Sequence, residues 1–315
     1  MSEYSVKLPT TGEIVDLETY DAESLYKMHY REEKYIAELA KQLPAFSKQR
    51  VELLEKGYAF IEPLRDCRAK KEGKKRLSKG SSESSIKLVK NRVAKKLKKQ
   101  QRVIVYEAGV GLGYALGQIS KMDNVEIFGC DIYLSNKVLE LNSRENIHIE
   151  RLGIFEHLMK IENNSIDIFY ADNVFEHLFP DELEAFFKLL RGKLKSNGEV
   201  IVIIPCGTVG PSDISGKFLP MGAKAEGFHV NECSFRENME QFKRNGFKTR
   251  YCTYSTNKTV RCISDKSGTL NRFKKKLEPF WAKFPVGRKT KNRIFDVLGY
   301  KAYILEKADS WQSNG

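Results

Sequence analysis

The stretch with the clearest chemical content is Glu107-Ala-Gly109-Val-Gly111-Leu-Gly113-Tyr114, between a run of β-branched residues and a helical pattern. Three glycines at alternate positions let a backbone turn tightly and approach a ligand with no Cβ in the way. The order is not the dinucleotide fingerprint, which counted from Gly109 needs glycine at position 114, where tyrosine stands. Glu107, immediately ahead of the loop, would repel a pyrophosphate. It suits a cofactor carrying a cationic ammonium or sulfonium. Eighteen residues beyond Gly113 a second apolar run ends in Gly129-Cys-Asp131. A carboxylate there can accept both hydroxyls of a ribose.

Elements that could position these residues follow from periodicity. Near-continuous apolar runs predict strands at 102–107, 125–131, 147–151, 166–171, 199–204, 248–255 and 300–307, with helices at 113–121, 135–141, 181–194 and 234–245 between them. Buried strands alternating with helices imply a doubly wound α/β domain, its parallel sheet covered on both faces, over residues 86–310. Ahead of it lies an N-terminal helical extension, residues 1–85. Leu25, Met28, Tyr35, Ile36 and Leu39 mark one helix; Val51, Leu54, Tyr58 and Ile61 mark a second, ending at Pro63. These helices are expected to cover the site or to make a homodimer contact. Residues 68–85 read as a basic linker, 206–233 as a long substrate loop at the carboxyl edge of the sheet, and 257–299 as a basic insertion.

The segments VYEAGVGLG, FGCDI, SIDIFYADNVFEHL and LKSNGEVIVIIP together resemble the class I S-adenosylmethionine-dependent methyltransferases over about residues 100–255. That resemblance implies a Rossmann-like seven-stranded sheet and S-adenosyl-L-methionine as cofactor. It implies that Gly109, Gly111 and Gly113 lie under the cofactor, that Asp131 holds the ribose, that Ile132 packs on the adenine and that Asn173 lies near the methyl donor. Many members carry an acid just after the third strand to bind the adenine amino group; this chain has Leu152-Gly153-Ile154-Phe155-Glu156, so the adenine contact is expected from backbone or from a nearby side chain, with Ile154 and Phe155 the candidates. Gly210-Pro-Ser-Asp213-Ile-Ser and Gly227-Phe-His229-Val-Asn-Glu resemble methyltransferases of glycan and cell-surface polysaccharide biosynthesis.

A hydroxyl acceptor requires a base, and His177, Asp213 and His229 are the candidates. Each has a structural alternative: a helix-start residue, a turn former and a loop clasp. Cys206 follows Pro205, but without further motif support it reads as a small buried thiol. No Asn/Asp-Pro-Pro-aromatic tetrad follows the fourth strand, which disfavours an amino-group methylase of nucleic acid bases.

Composition sets the remaining bounds. The chain has 315 residues and net charge +13. The balance is local: residues 68–100 carry +12 and 266–293 carry +9, leaving −8 elsewhere. Leu270, Phe273, Leu277, Phe280, Trp281 and Phe284 interleave with the second cluster. Cationic and aromatic side chains together suit an anionic membrane interface, or a single-stranded RNA on which aromatics stack. The longest central apolar run, Val200–Ile204, is far short of the ~20 residues a membrane span needs. The opening residues have no apolar h-region, so no signal peptide is expected. Six cysteines without a CxxC pair predict neither a disulfide framework nor a metal site and suit a reducing cytoplasm. The sequence therefore reads as a methyltransferase acting on a sugar hydroxyl of a glycan or glycolipid, with a peripheral contact to an anionic membrane. A nucleic-acid methyltransferase using both basic patches and a non-catalytic binding protein on the same fold are the alternatives.

Overall fold

The computed structural model describes residues 4–74, 82–256 and 259–308. A short hairpin, Ser5–Lys7 (β1) and Ile14–Asp16 (β2), precedes two long helices, Ala22–Gln42 (α1) and Lys48–Lys71 (α2). Asp21 and Ser47 cap the helices, accepting from Ser24 N and Arg50 N. Leu25, Ile36, Phe60, Ile61 and Leu64 form their own small core, which also takes in Phe228 from the long loop. Pro63 does not end α2 as expected, and the linker expected from residue 68 starts later, because the helix runs on to Lys71. Leu64 and Cys67, beyond the proline, are buried, and their packing holds the helix across the missing amide. Residues 75–81 of that linker lie outside the described residues.

The helix Glu83–Leu97 (α3) leads into the domain proper. Its elements follow in order: Val103–Ala108 (β3), Tyr114–Ile119 (α4), Val125–Asp131 (β4), Asn136–Leu141 (α5), Ile147–Arg151 (β5), Ile154–Lys160 (α6), Ile166–Asp172 (β6), Leu183–Lys193 (α7) and Leu194–Ile203 (β7). After the long loop come Phe235–Arg244 (α8), Phe247–Thr249 (β8), Tyr251–Thr256 (β9), Thr259–Ser264 (β10), Thr269–Lys283 (α9), Arg288–Val297 (α10) and Ala302–Lys307 (β11). Seven strands make one sheet in the order β5-β4-β3-β6-β7-β11-β8. It is a Rossmann-like sheet with helices on its flanks, but it is mixed and not wholly parallel. β11 runs antiparallel to both β7 and β8. The crossover through α8 sets β8 one place away from β7, and the returning chain fills that gap from the opposite direction.

Two further expectations change. The strand expected at 248–255 breaks at Arg250: β8 joins the main sheet, while β9 pairs with β10 in a separate hairpin. The β7 strand begins at Leu194, but Leu194 faces Ile166 and Glu199 faces Ile168, so Lys195–Gly198 loops out of register. The Lys-Ser-Asn-Gly segment ahead of the strand expected at 199–204 is therefore a bulge inside a longer strand. Strand order reverses between β3 and β6, whose carboxyl ends diverge into the crevice where open α/β sheets hold ligands.

Candidate active site

A cavity of about 690 Å³ opens at that crevice. Its floor comes from the turns after β3, β4 and β6. Gly109, Gly111 and Gly113 all adopt positive φ, of 64°, 52° and 70°, where a side chain is strained. Their roles differ. A Cβ on Gly109 would lie 2.6 Å from Val174 Cγ2, so that glycine lets the β6 turn close against the loop. A Cβ on Gly111 would meet nothing within 4 Å, and this residue lines the open cavity. Gly113 is set back from the wall. It begins α4, and a Cβ there would meet Val138 and Leu141 at 3.0 Å.

Asp131 closes one side of the floor. Its carboxylate accepts from Gly111 N at 2.8 Å and from Tyr133 N at 3.1 Å, which fixes loop and acid to each other. Burial nevertheless raises its pKa above the usual aspartate value. Ile132 and Ile154 line the cavity, as do Leu152, Tyr133 and Asn173. Phe155 does not; its ring is stacked on Phe46, with centroids 3.7 Å apart. Position 155 follows the cavity-facing Ile154 on the first turn of α6, and the helix carries it toward the core. Glu107 is also off the wall. It is 2% exposed, lies beneath the loop and has Oε2 without a hydrogen-bond partner, and burial raises its pKa well above normal.

A covering role for the N-terminal helices was expected, but none of the residues that form the roof was among the candidates. The roof is one face of α2, with Leu54, Tyr58, Glu62, Arg65 and Arg68 on the cavity, together with Phe228 of the long loop. Arg50 fastens α2 to the domain: its guanidinium donates to Glu182 at 2.7 Å and to Asp181 at 2.9 Å. Glu33 of α1 accepts from Phe228 N at 2.8 Å. The helices ahead of the domain thus cover the cleft, one of the two roles expected of them.

Past β6, Asn173 adopts φ 57° and turns the chain into a short 3₁₀ helix, Phe175–His177. The long loop is pinned to this turn by Asn231, whose backbone N donates to Glu176 O at 2.9 Å and whose Nδ2 donates to Phe175 O at 3.1 Å. The result sets the rings of His177 and His229 edge to face, 4.8 Å apart, joining residues 52 positions apart. His177 lines the cavity and donates from Nδ1 to the Phe228 carbonyl at 3.0 Å, with Tyr58 Oη at 3.3 Å. A carbonyl can only accept, so Nδ1 bears the proton and Nε2 carries the lone pair. Burial and the neighbouring His229 push the His177 pKa down to about 3. His229 is held by Glu232, Nδ1 to Oε2 2.7 Å; against the opposing effect of burial, Glu232 and Glu176 push its pKa up to about 9. Asp213 stands apart from the cluster. Its carboxylate accepts from Ser215 N and Oγ and from Gly227 N, tying the loop together, and it borders a second cavity of about 470 Å³.

Residues 106–202 match the family model described as a methyltransferase domain. No curated protein matches the chain. Among solved structures, a Burkholderia thailandensis 1,6-didemethyltoxoflavin-N1-methyltransferase, described with bound 1,6-didemethyltoxoflavin and S-adenosylhomocysteine, is 12% identical at TM-score 0.49, covering 85% of this chain and 93% of that one. An S-adenosylmethionine-dependent methyltransferase from Aquifex aeolicus is 20% identical at TM-score 0.36, covering 55% and 93%. A geranyl diphosphate C-methyltransferase from Streptomyces coelicolor is 13% identical at TM-score 0.42, covering 70% and 78%. These likenesses say nothing of this chain's acceptor. The matched segment, set on the sheet order and crevice described above, is a methyltransferase domain with S-adenosylmethionine as its cofactor.

Proposed function

We propose that the chain methylates a sugar hydroxyl on a glycan or glycolipid intermediate. The observation that carries this reading is the docking of the 206–233 loop. Its Gly227–Glu232 part, which resembles glycan methyltransferases, sits on the Phe175–His177 turn and delivers His229 to His177 at the donor end of the cavity.

The cofactor fits the floor. Gly111 leaves open space where any side chain would intrude, and Asp131 offers a carboxylate at the end of β4 for the ribose hydroxyls. Ile132 and Ile154 are the apolar contacts for the adenine, and Asn173 is a polar group at the donor end. Bound there, S-adenosylmethionine would supply an electrophilic sulfonium methyl to the acceptor oxygen, the sulfur keeping the electron pair of its bond to the methyl and the acceptor giving up its hydroxyl proton. The chain's own contribution is position and exclusion of water. Tyr58, Phe228 and Leu54 close the roof, and His177 Nε2 can accept a hydrogen bond from the hydroxyl. Neither histidine is a strong base as held: His177 scarcely binds a proton, and His229 already carries one near neutral pH.

The acceptor reading is tested with S-adenosylmethionine labelled in its methyl group and a panel of lipid-linked sugars, polysaccharide fragments and RNA. Label in an O-methyl sugar is the expected result; label in RNA overturns it. His229→Ala should lower turnover more than cofactor affinity.

The α9 insertion supports a membrane-borne acceptor. Three of its polar residues face inward: Asn271, Lys274 and Glu278 are buried. Lys274 Nζ donates to Gly299 O at 2.7 Å, and Glu278 accepts from Thr208 Oγ1 at 2.6 Å and Phe235 N at 2.8 Å. Leu270, Phe273, Phe280 and Phe284 are exposed instead, beside Arg272, Lys276 and Lys283. An apolar stripe edged with cations matches an anionic headgroup layer. Among the described residues no helix is long and apolar enough to cross a membrane. Sedimentation with phosphatidylglycerol vesicles should carry the protein down, and Phe273→Ser with Phe280→Ser should release it.

A further inference from the structure

Glu176 is fully buried, with neither carboxylate oxygen hydrogen-bonded. No other carboxylate among the described residues is buried with both oxygens unpartnered. Burial pushes its pKa up to about 8. An ionisable group in that condition is expensive to keep unless a cation joins it. The side chains beside it are His177 and His229, and one ligand atom from each of the three lies within 4.8 Å of the others.

Both imidazoles are held as metal ligands are held. Each commits Nδ1 to an oxygen, His177 to the Phe228 carbonyl and His229 to Glu232, and neither Nε2 has a hydrogen-bond partner among the described residues. Such a bond through one nitrogen fixes the ring and leaves Nε2 for an ion, at once on His177 and, on His229, once the ion displaces the ring's second proton. The surrounding charge favours a cation too: Glu33, Asp172, Glu232 and, from further off, Asp213 act on these groups electrostatically, with Arg65 opposing them.

We propose that Glu176, His177 and His229 form a divalent-metal site of two imidazoles and one carboxylate, open toward the cavity. Ligand atoms around zinc at about 2.1 Å lie about 3.4 Å apart in a tetrahedron, so the three side chains need only draw together by an ångström or so. Three protein ligands leave at least one position free, as in sites that bind water or substrate. His177 places that position against the cavity wall, where the hydroxyl of the acceptor would sit. This second role rests on the sugar-hydroxyl reading above; the site itself does not. An ion there would also supply what the two histidines lack, a means of making the hydroxyl acidic. The absence of paired cysteines carries no weight against it, since cysteine spacing reports thiolate sets alone.

The test uses the full chain stripped with a chelator, then titrated with Zn²⁺ and, separately, Mn²⁺, with neither cofactor nor acceptor present. One equivalent of Zn²⁺ or Mn²⁺ bound at micromolar concentration, counted by atomic emission after gel filtration, is the expected result. Glu176→Gln and His229→Gln should each weaken binding at least tenfold while cofactor affinity is kept. The exposed His148→Gln, at a site paired only with Glu126 and Phe128, should leave binding unchanged. Glu176→Gln replaces a buried carboxyl that has no hydrogen-bond partner, so the metal-free variant should melt no lower than the parent. If that variant fails to fold, His229→Gln decides. Failure of the parent to bind either ion, or binding as tight in both variants, overturns the site. Ion bound without methylation of any sugar leaves the site standing and overturns only the acceptor reading.

Discussion

The floor and the roof of the cavity are built on different principles. The floor is drawn from residues 109–133 and 152–154 and the turn at 172–174, and it recognises by backbone: glycines at positive φ, amides committed to Asp131, and strand ends fixed by sheet register. The roof gathers Tyr58 and Phe228, with His177 at its edge, from three distant stretches and presents side chains to the cavity. What the difference teaches is that a cofactor common to many enzymes can be held by local geometry. An acceptor peculiar to one enzyme needs convergence that only packing supplies.

Substitutions can break that division in order of effect. Gly109→Val puts a β-branched residue in the left-handed region against Val174; strain of about 1–2 kcal/mol and overpacking of about 1–3 kcal/mol together predict a loss of cofactor affinity of about 100-fold by calorimetry. A variant that binds normally would show the loop is not the cradle. Asp131→Ala removes charged hydrogen bonds worth about 1.5–3 kcal/mol, and a matching fall in affinity is expected, with melting temperature little changed. Unchanged affinity would take the ribose away from this residue. Tyr58→Phe is the mildest. Losing one hydroxyl at the His177 ring, about 1 kcal/mol, should lower kcat roughly fivefold and leave cofactor binding intact. Were cofactor binding to fall instead, roof and floor would not be separate devices.

α2 shows why the roof escaped reading. It has apolar residues for its own core on one side and Tyr58, Glu62, Arg65 and Arg68 for the cavity on another, so no single stripe stands out. Glu176 and His177 were legible as a dipeptide, and only His177 attracted attention. Glu176 became meaningful once its burial and missing partners were visible. α9 runs the same way in reverse. Its aromatics and lysines were plain in the sequence, but nothing there said that Lys274 and Glu278 would turn inward and the phenylalanines outward.

The amino-acid sequence alone determined the strand and helix alternation, the glycine turn and the acid at the end of β4, because each depends on dihedral freedom and on periodicity within a few residues. Tertiary structure decided the reversed β11, the α2 roof and the meeting of Glu176, His177 and His229. Those depend on which distant surfaces bury one another, and a loop closing over 52 residues leaves no local mark of where its ends will meet.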